Sequence, residues 1–342
     1  MPRLNPEEFT ANAVSPVWYE DQARHQTAMR ELTEPVTLIS DDGQQFSGLH
    51  INRDFTDKSP VIRINSMFGA ADRPDQQYIA YQWGAAYPDR GFVLIDLPSH
   101  GASDNLTETQ IKEIKKEGTL KLVGKAHVEA VSNRIPHVGE PIIVGEALGA
   151  RMAAEFVAAS TKRDIYPDHM FGFDMPGLEN RSSASLAFSY FASALKSRKY
   201  NAEGEANDRL KAAFEEKFNG DLANYQPRVE KTTTKKQASV YKHQKSLLTF
   251  LLRNSPLNND KGADALSEGL QSNPNLAVNL VFGGLSAVGR WRRETAARVQ
   301  KIADANNHRL QAEVWPSDDQ GMGLAPLSPR LVAYSKAQLW HE

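Results

Sequence analysis

Pro141-Ile142-Ile143-Val144-Gly145-Glu146-Ala147-Leu148-Gly149-Ala150 places two kinds of local structure within ten residues. Pro141 to Val144 is a short apolar run, the pattern of a strand buried on both faces of a parallel sheet. Leu148 to Ala159 follows as a helical run in which Ala150, Ala153 and Ala154 permit close packing. Outward from this segment the same alternation continues. Val61 to Ile64, Phe92 to Leu97, His169 to Phe173, Leu276 to Phe282 and Leu310 to Trp315 read as strands. Gln76 to Tyr87, Leu120 to Arg134 and Gly289 to Ala305 read as helices between them, and a last helix from about Pro329 to Trp340 starts at a proline suited to a first turn. Strands separated by helices imply a mostly parallel α/β sheet with helices on both faces. Upstream, Val36 to Ile39 and Phe46 to Ile51 flank Asp41-Asp42-Gly43, a turn that tolerates positive φ, so the chain opens with an antiparallel hairpin.

The rhythm breaks once. About a hundred residues separate the strand ending near Asp174 from the one beginning near Leu276, far more than a crossover needs. The expected organisation is an N-terminal arm at 1–34 with a helical stretch around Val17 to Arg30, a core first part at 35–174, an inserted helical lid at 175–274, and a core second part at 275–342. Within the lid, Phe188, Phe191 and Leu195, and later Leu247, Leu248, Leu251 and Leu252, have the spacing of helices packing onto the core. Arg228, Lys231, Lys235, Lys236, Lys242 and Lys245 form a basic stretch that reads as a solvated face.

Composition bounds the function. Lys and Arg total 40 against 42 Asp and Glu, a formal charge of −2, so no whole-chain field recruits nucleic acid or an anionic membrane. Cysteine is absent, which excludes thiol nucleophiles, thiolate metal sites and disulfides. The first 34 residues lack the apolar core of a secretory leader, and no apolar run could span a bilayer, so a cytoplasmic protein is expected. No His-Glu-x-x-His, paired His spacing or Asp-rich loop points to a metal, and Gly283-Gly284 lacks the rest of a nucleotide-binding motif; neither metal nor cofactor is expected.

Three segments in order resemble the α/β-hydrolase superfamily of esterases and lipases, which hold a Ser-His-acid triad. Residues 141–150 match its strand, G-x-S-x-G elbow and helix, with Ala147 at the nucleophile position. Gly145 and Gly149 give the room for strand and helix to approach across that tight turn. Phe92 to Asp104 resembles the family's strand and D-x-P-G-H-G-x-S loop, with Ser99 replacing one glycine. Val314 to Met322 resembles the loop that carries the base, with Gln320 where histidine would stand. The resemblance implies oxyanion donors at the Met67 and Leu148 backbone, with Asn65 and Ser66 in place of the usual His-Gly. It implies an acid at position 286, which is Ser286, or one strand earlier, at Asp174. Glu146, His100, Asp318 and Asp319 complete the expected pocket.

The histidines offer no convincing replacement base. His169 and His308 precede their strands, at the wrong end of the sheet, and His25 and His341 lie near the chain ends. His50 lies in the hairpin, His127 in a helix and His137 in a turn, while His100 reads as pocket wall and His243 as part of the basic stretch. Glutamine cannot accept a proton near neutral pH. The expected function is therefore a catalytically impaired pseudo-hydrolase that binds a small apolar or acyl-type ligand or a protein partner. The alternatives are a serine ester, amide or lactone hydrolase carrying an engineered alanine at 147 with a displaced base, and an adaptor whose basic lid binds an anionic partner. Nucleic acid is the disfavoured form of that partner.

Overall fold

The computed structural model describes residues 33–51, 58–182 apart from 68, 73 and 88, 184–185, 246–283 apart from 255 and 258, 291–315, and 332, 334, 335, 338 and 339. Eight strands form one sheet in the order β1-β2-β4-β3-β5-β6-β7-β8. They are β1 (Glu34–Ile39), β2 (Gln45–Ile51), β3 (Val61–Ile64), β4 (Phe92–Ile95), β5 (Ile142–Glu146), β6 (His169–Phe173), β7 (Ala277–Gly283) and β8 (Leu310–Trp315). β1, β2 and β4 pair antiparallel, and every pairing from β4 through β3 to β8 is parallel. β1 alternates exposed and buried residues as an edge strand does, whereas β3 to β6 are buried throughout.

Helices cover both faces: α1 (Pro74–Ala86), α2 (Glu108–Glu117), α3 (Lys121–Arg134), α4 (Leu148–Ser160), α5 (Lys261–Ser272) and α6 (Arg293–Ala305). Ile62, Ile64, Ile143, Met170 and Leu280 face α3 to α6 in the larger core. Val61, Leu94, Val144, Phe171 and Val281 face α1, through Ile79 and Trp83, together with Val332 and Tyr334. α4 is buried along its whole length, which its alanines and Gly149 make feasible because neighbours press on it from several sides.

Local chemistry explains where the elements differ from expectation. α2 is not legible as a helix from its apolar content; it is defined by a capping box between Thr107 and Gln110 and a left-handed Gly118 at its C-cap. β4 stops at Ile95 rather than Leu97. β5 runs on through Gly145 and Glu146, because backbone pairing to Ile64 and Phe173 needs no particular side chain. α5 falls inside the interval 175–274 and packs on α4 as a crossover helix of the core, with Gly269 against Val157. Residues 246–253 are helical too, and Leu247 and Leu251 are buried in the main core. The arm helix, Phe188, Phe191, Leu195 and the basic stretch lie outside the described residues.

Candidate functional site

The site is built where β3, β5, β6 and β7 end side by side. Ile64 pairs with Gly145, Glu146 with Phe173, and Phe173 with Val281, so the residues that follow each strand emerge together. Asn65, Ser66 and Met67 follow β3, Ala147 and Leu148 follow β5, and Asp174 follows β6.

Ala147 carries the sharpest feature of the chain. Its backbone stands at φ 47° and ψ −119°, a conformation L residues rarely adopt. The turn is held on both sides: the Ala147 N–H donates to the Phe173 carbonyl at 2.8 Å, and its carbonyl accepts from the Arg151 N–H at 3.1 Å in the first turn of α4. Between buried Glu146 and Leu148, Ala147 is only half-buried. Such strain is typically of order 1–3 kcal/mol, while glycine adds about 0.5–1 kcal/mol of unfolded-state entropy. Ala147→Gly is therefore expected to stabilise the protein by about 1 kcal/mol in urea unfolding. A variant no more stable than wild type would show that the turn is unstrained.

Close packing joins the elbow to the loop after β3. A Cβ on Gly149 would stand 2.6 Å from the Asn65 carbonyl oxygen and nearer still to that of Ile64. Leu148 opens α4, where the first N–H groups of a helix lack intrahelical acceptors. Across from it, the Asn65 side-chain oxygen accepts from the Ser66 N–H at 3.0 Å, and Gly69 donates to the Ser66 carbonyl at 3.1 Å, which shapes the turn around Met67. The fold thus brings together the two segments expected to supply oxyanion donors.

Asp174 also has positive φ, 51°, and is buried. Its Oδ1 accepts from the Gly283 N–H at 2.8 Å and its own N–H donates to the Val281 carbonyl at 2.8 Å, so this side chain fastens the end of β7 to the end of β6, the strand next to the elbow strand. Glu146 is paired with Arg63 of β3 at 3.5 Å, both side chains buried, on the sheet face covered by α1. Ser286, Asp318, Asp319 and Gln320 lie outside the described residues. No group of three or more acidic or histidine side chains among the described residues could hold a metal. None of the described helices is long and apolar enough to cross a membrane.

Both histidines near these strand ends are engaged elsewhere. His100 Nδ1 lies 2.9 Å from the Pro98 carbonyl, and burial pushes the ring down to about 4, so at neutral pH it is uncharged with Nδ1–H as donor. His127 of α3, also pushed by burial to about 4, donates through Nε2 to the Asp96 carbonyl at 3.3 Å and packs against Phe46.

Sequence reasoning gave Asp96 no role, yet it is the hub of the neighbouring loops. Its carboxyl accepts from the Asn65 side-chain amide at 2.9 Å, from the Ala71 N–H at 2.9 and 3.0 Å, and from Ser47 Oγ at 2.6 Å. Gly101, at φ 54°, lays its backbone on this carboxyl, where a Cβ would be 2.7 Å from Oδ2. Ser103 Oγ accepts from the Ser47 N–H at 2.9 Å. Each polar position of Asp96-x-Pro98-x-His100-Gly101-x-Ser103 thus holds a loop in place. Burial raises the Asp96 carboxyl to about 6, against hydrogen bonds that pull the other way. The signal in the sequence was its place as the first residue of the D-x-P-G-H-G-x-S pattern, an acid ending an apolar strand.

No family model matches the chain, and no curated protein matches it. Solved structures match over most of its length. An N-formylmaleamic acid deformylase from Pseudomonas putida aligns at 14% identity, covering 88% of this chain and 100% of the other, with a TM-score of 0.50. An esterase from Pyrococcus furiosus aligns at 13% identity over 92% of each chain with a TM-score of 0.49. Mouse α/β hydrolase domain-containing protein 10 aligns at 12% identity, covering 90% of this chain and 98% of that one, with a TM-score of 0.46. Together with the sheet order and the elbow at Ala147, the deformylase likeness establishes that the chain has the α/β-hydrolase fold.

Proposed function

We propose that the protein is a catalytically impaired α/β-hydrolase-fold protein that binds a small apolar or acyl-type ligand, or a protein partner, over the strand ends at Ala147. The observation that carries this reading is the elbow itself. The backbone keeps the strained turn that projects a nucleophile, and the residue standing on it offers a methyl group. Gln320 at the base position supports the same reading, since an amide cannot take the proton of an attacking hydroxyl. Met67 and Leu148 would give the floor its apolar character.

The test uses a fluorophosphonate probe, a short-chain nitrophenyl ester and native mass spectrometry of the purified protein. Wild type is expected to show no covalent labelling, no turnover above background, and a copurifying mass. Ala147→Ser is expected to remain a poor esterase, about 10³-fold or more below a complete triad. Rapid labelling and turnover by that variant would defeat the reading. It would favour the second one, an ester, amide or lactone hydrolase with serine at position 147 in the natural gene, which the retained strain at 147 also supports.

A further inference from the structure

We propose that the Asp96 cluster is a proton-held latch on the loop from Asn65 to Asp72, closed when the carboxyl is protonated and loosened when it ionises. The loop is tied to Asp96 at both ends, through the Asn65 side chain and the Ala71 N–H, and its middle carries Ser66 and Met67 beside the elbow. The carboxyl is fully buried, and no cation faces it among the described residues. From β2 it meets Ser47, from the loop after β3 Asn65 and Ala71 with Asp72 nearby, from its own loop Gly101 with His100 two residues beyond Pro98, and from α3 His127, whose ring reaches the Asp96 carbonyl. Asp72 has the same sign as Asp96, and both histidines are neutral above pH 5. Arg63, on the adjoining strand, is committed to Glu146. A buried carboxylate without a counter-charge favours its protonated form or a route to water.

The cluster can store the proton without losing its bonds. Ser47 Oγ, 2.6 Å from Asp96 Oδ2, turns from donor to acceptor, and its own hydrogen is then directed to Ser103 Oγ at 3.3 Å. Oδ1 remains an acceptor for Asn65 and Ala71. In the sign of linkage, the closed state holds its proton up to about pH 6, whereas an opened, solvated aspartate loses it near 3.8, so closure is favoured at acid pH and weakened as pH rises through 6.

Amide hydrogen exchange on the full chain, corrected for intrinsic rates, tests this without any ligand and so separately from the binding reading. Protection of the Ser66, Gly69 and Ala71 amides is expected to fall about tenfold from pH 5 to pH 8, flattening above pH 7, while staying well below the protection of β5 amides. In Asp96→Asn, whose amide can donate to Ser47 as the protonated acid does, the loop amides are expected to lose this pH dependence. Carbon-13 titration of the Asp96 carboxyl in wild type supplies a readout that needs no variant, with a midpoint near 6 expected. Loop protection that is flat or rises with pH, a slope that survives in Asp96→Asn, or a carboxyl midpoint near 4 would overturn the latch.

Discussion

Replacing Gly149 by alanine is expected to lower the free energy of unfolding by about 3 kcal/mol or more, among the largest effects of any single substitution in the core. The added methyl would collide with the carbonyl oxygens of Ile64 and Asn65, which are backbone atoms fixed by the sheet. A side chain would rotate away; a strand end cannot without breaking its pairing to β5 and disturbing the loop that holds Ser66 and Met67. The comparison that isolates this cause is Gly43→Ala. Gly43 sits at φ 85° in the opening hairpin, where an added methyl would meet nothing within 4 Å, so only the left-handed backbone is penalised, by about 1 kcal/mol. Urea unfolding of both variants checks the difference, and a loss at 149 no larger than that at Gly43 would show that small shifts of the strand end relieve the close approach.

Arg151→Ala is expected to be as damaging, by about 3–5 kcal/mol, because it strands a buried carboxylate. Arg151 is fully buried one turn into α4 and pairs with Glu155 at 2.6 Å, with Glu155 4% exposed. The surroundings leave the guanidinium no path to water. Gly177 and Gly262 press on its Cδ, and methyl groups there would stand 2.9 and 3.0 Å away. Glu155 in turn accepts from the Leu120 N–H at 3.3 Å, which ties the elbow helix to the start of α3. Removing the charge pair as a unit should be far milder. Arg151→Met with Glu155→Gln keeps an acceptor for Leu120 and is expected to regain most of the loss, a coupling that a double-mutant cycle in urea measures. If the double variant were no more stable than Arg151→Ala, lost packing under Gly177 and Gly262 would be the larger cause.

The pair at Arg151 and Glu155 also marks how far reading along the chain reaches. Four residues apart on a helix, they are legible as neighbours on one face, but such pairs are commonly solvated. Only the arrival of Gly177 from the loop after β6 and Gly262 from α5 makes this one dry. Arg63 and Glu146 are a harder case. They lie 83 residues apart and meet because β3 and β5 are adjacent in register.

The strands, most of the crossover helices, the antiparallel opening and the place of the elbow can all be read along the chain. They follow from local rules: apolar runs with turn residues between them, and a glycine spacing that only a tight strand-to-helix turn requires. That the elbow bears a methyl group is equally plain, since residue identity needs no fold. The grip of the Phe173 carbonyl on the Ala147 N–H is different, because it depends on β6 arriving beside β5. So is the setting of Asp96, legible in the chain only as the first residue of a loop pattern but buried among Ser47, Asn65 and Ala71 from two other segments. Hydrogen bonds between segments and burial of charge depend on which distant segments close around a residue, and that information exists only once the sheet has assembled.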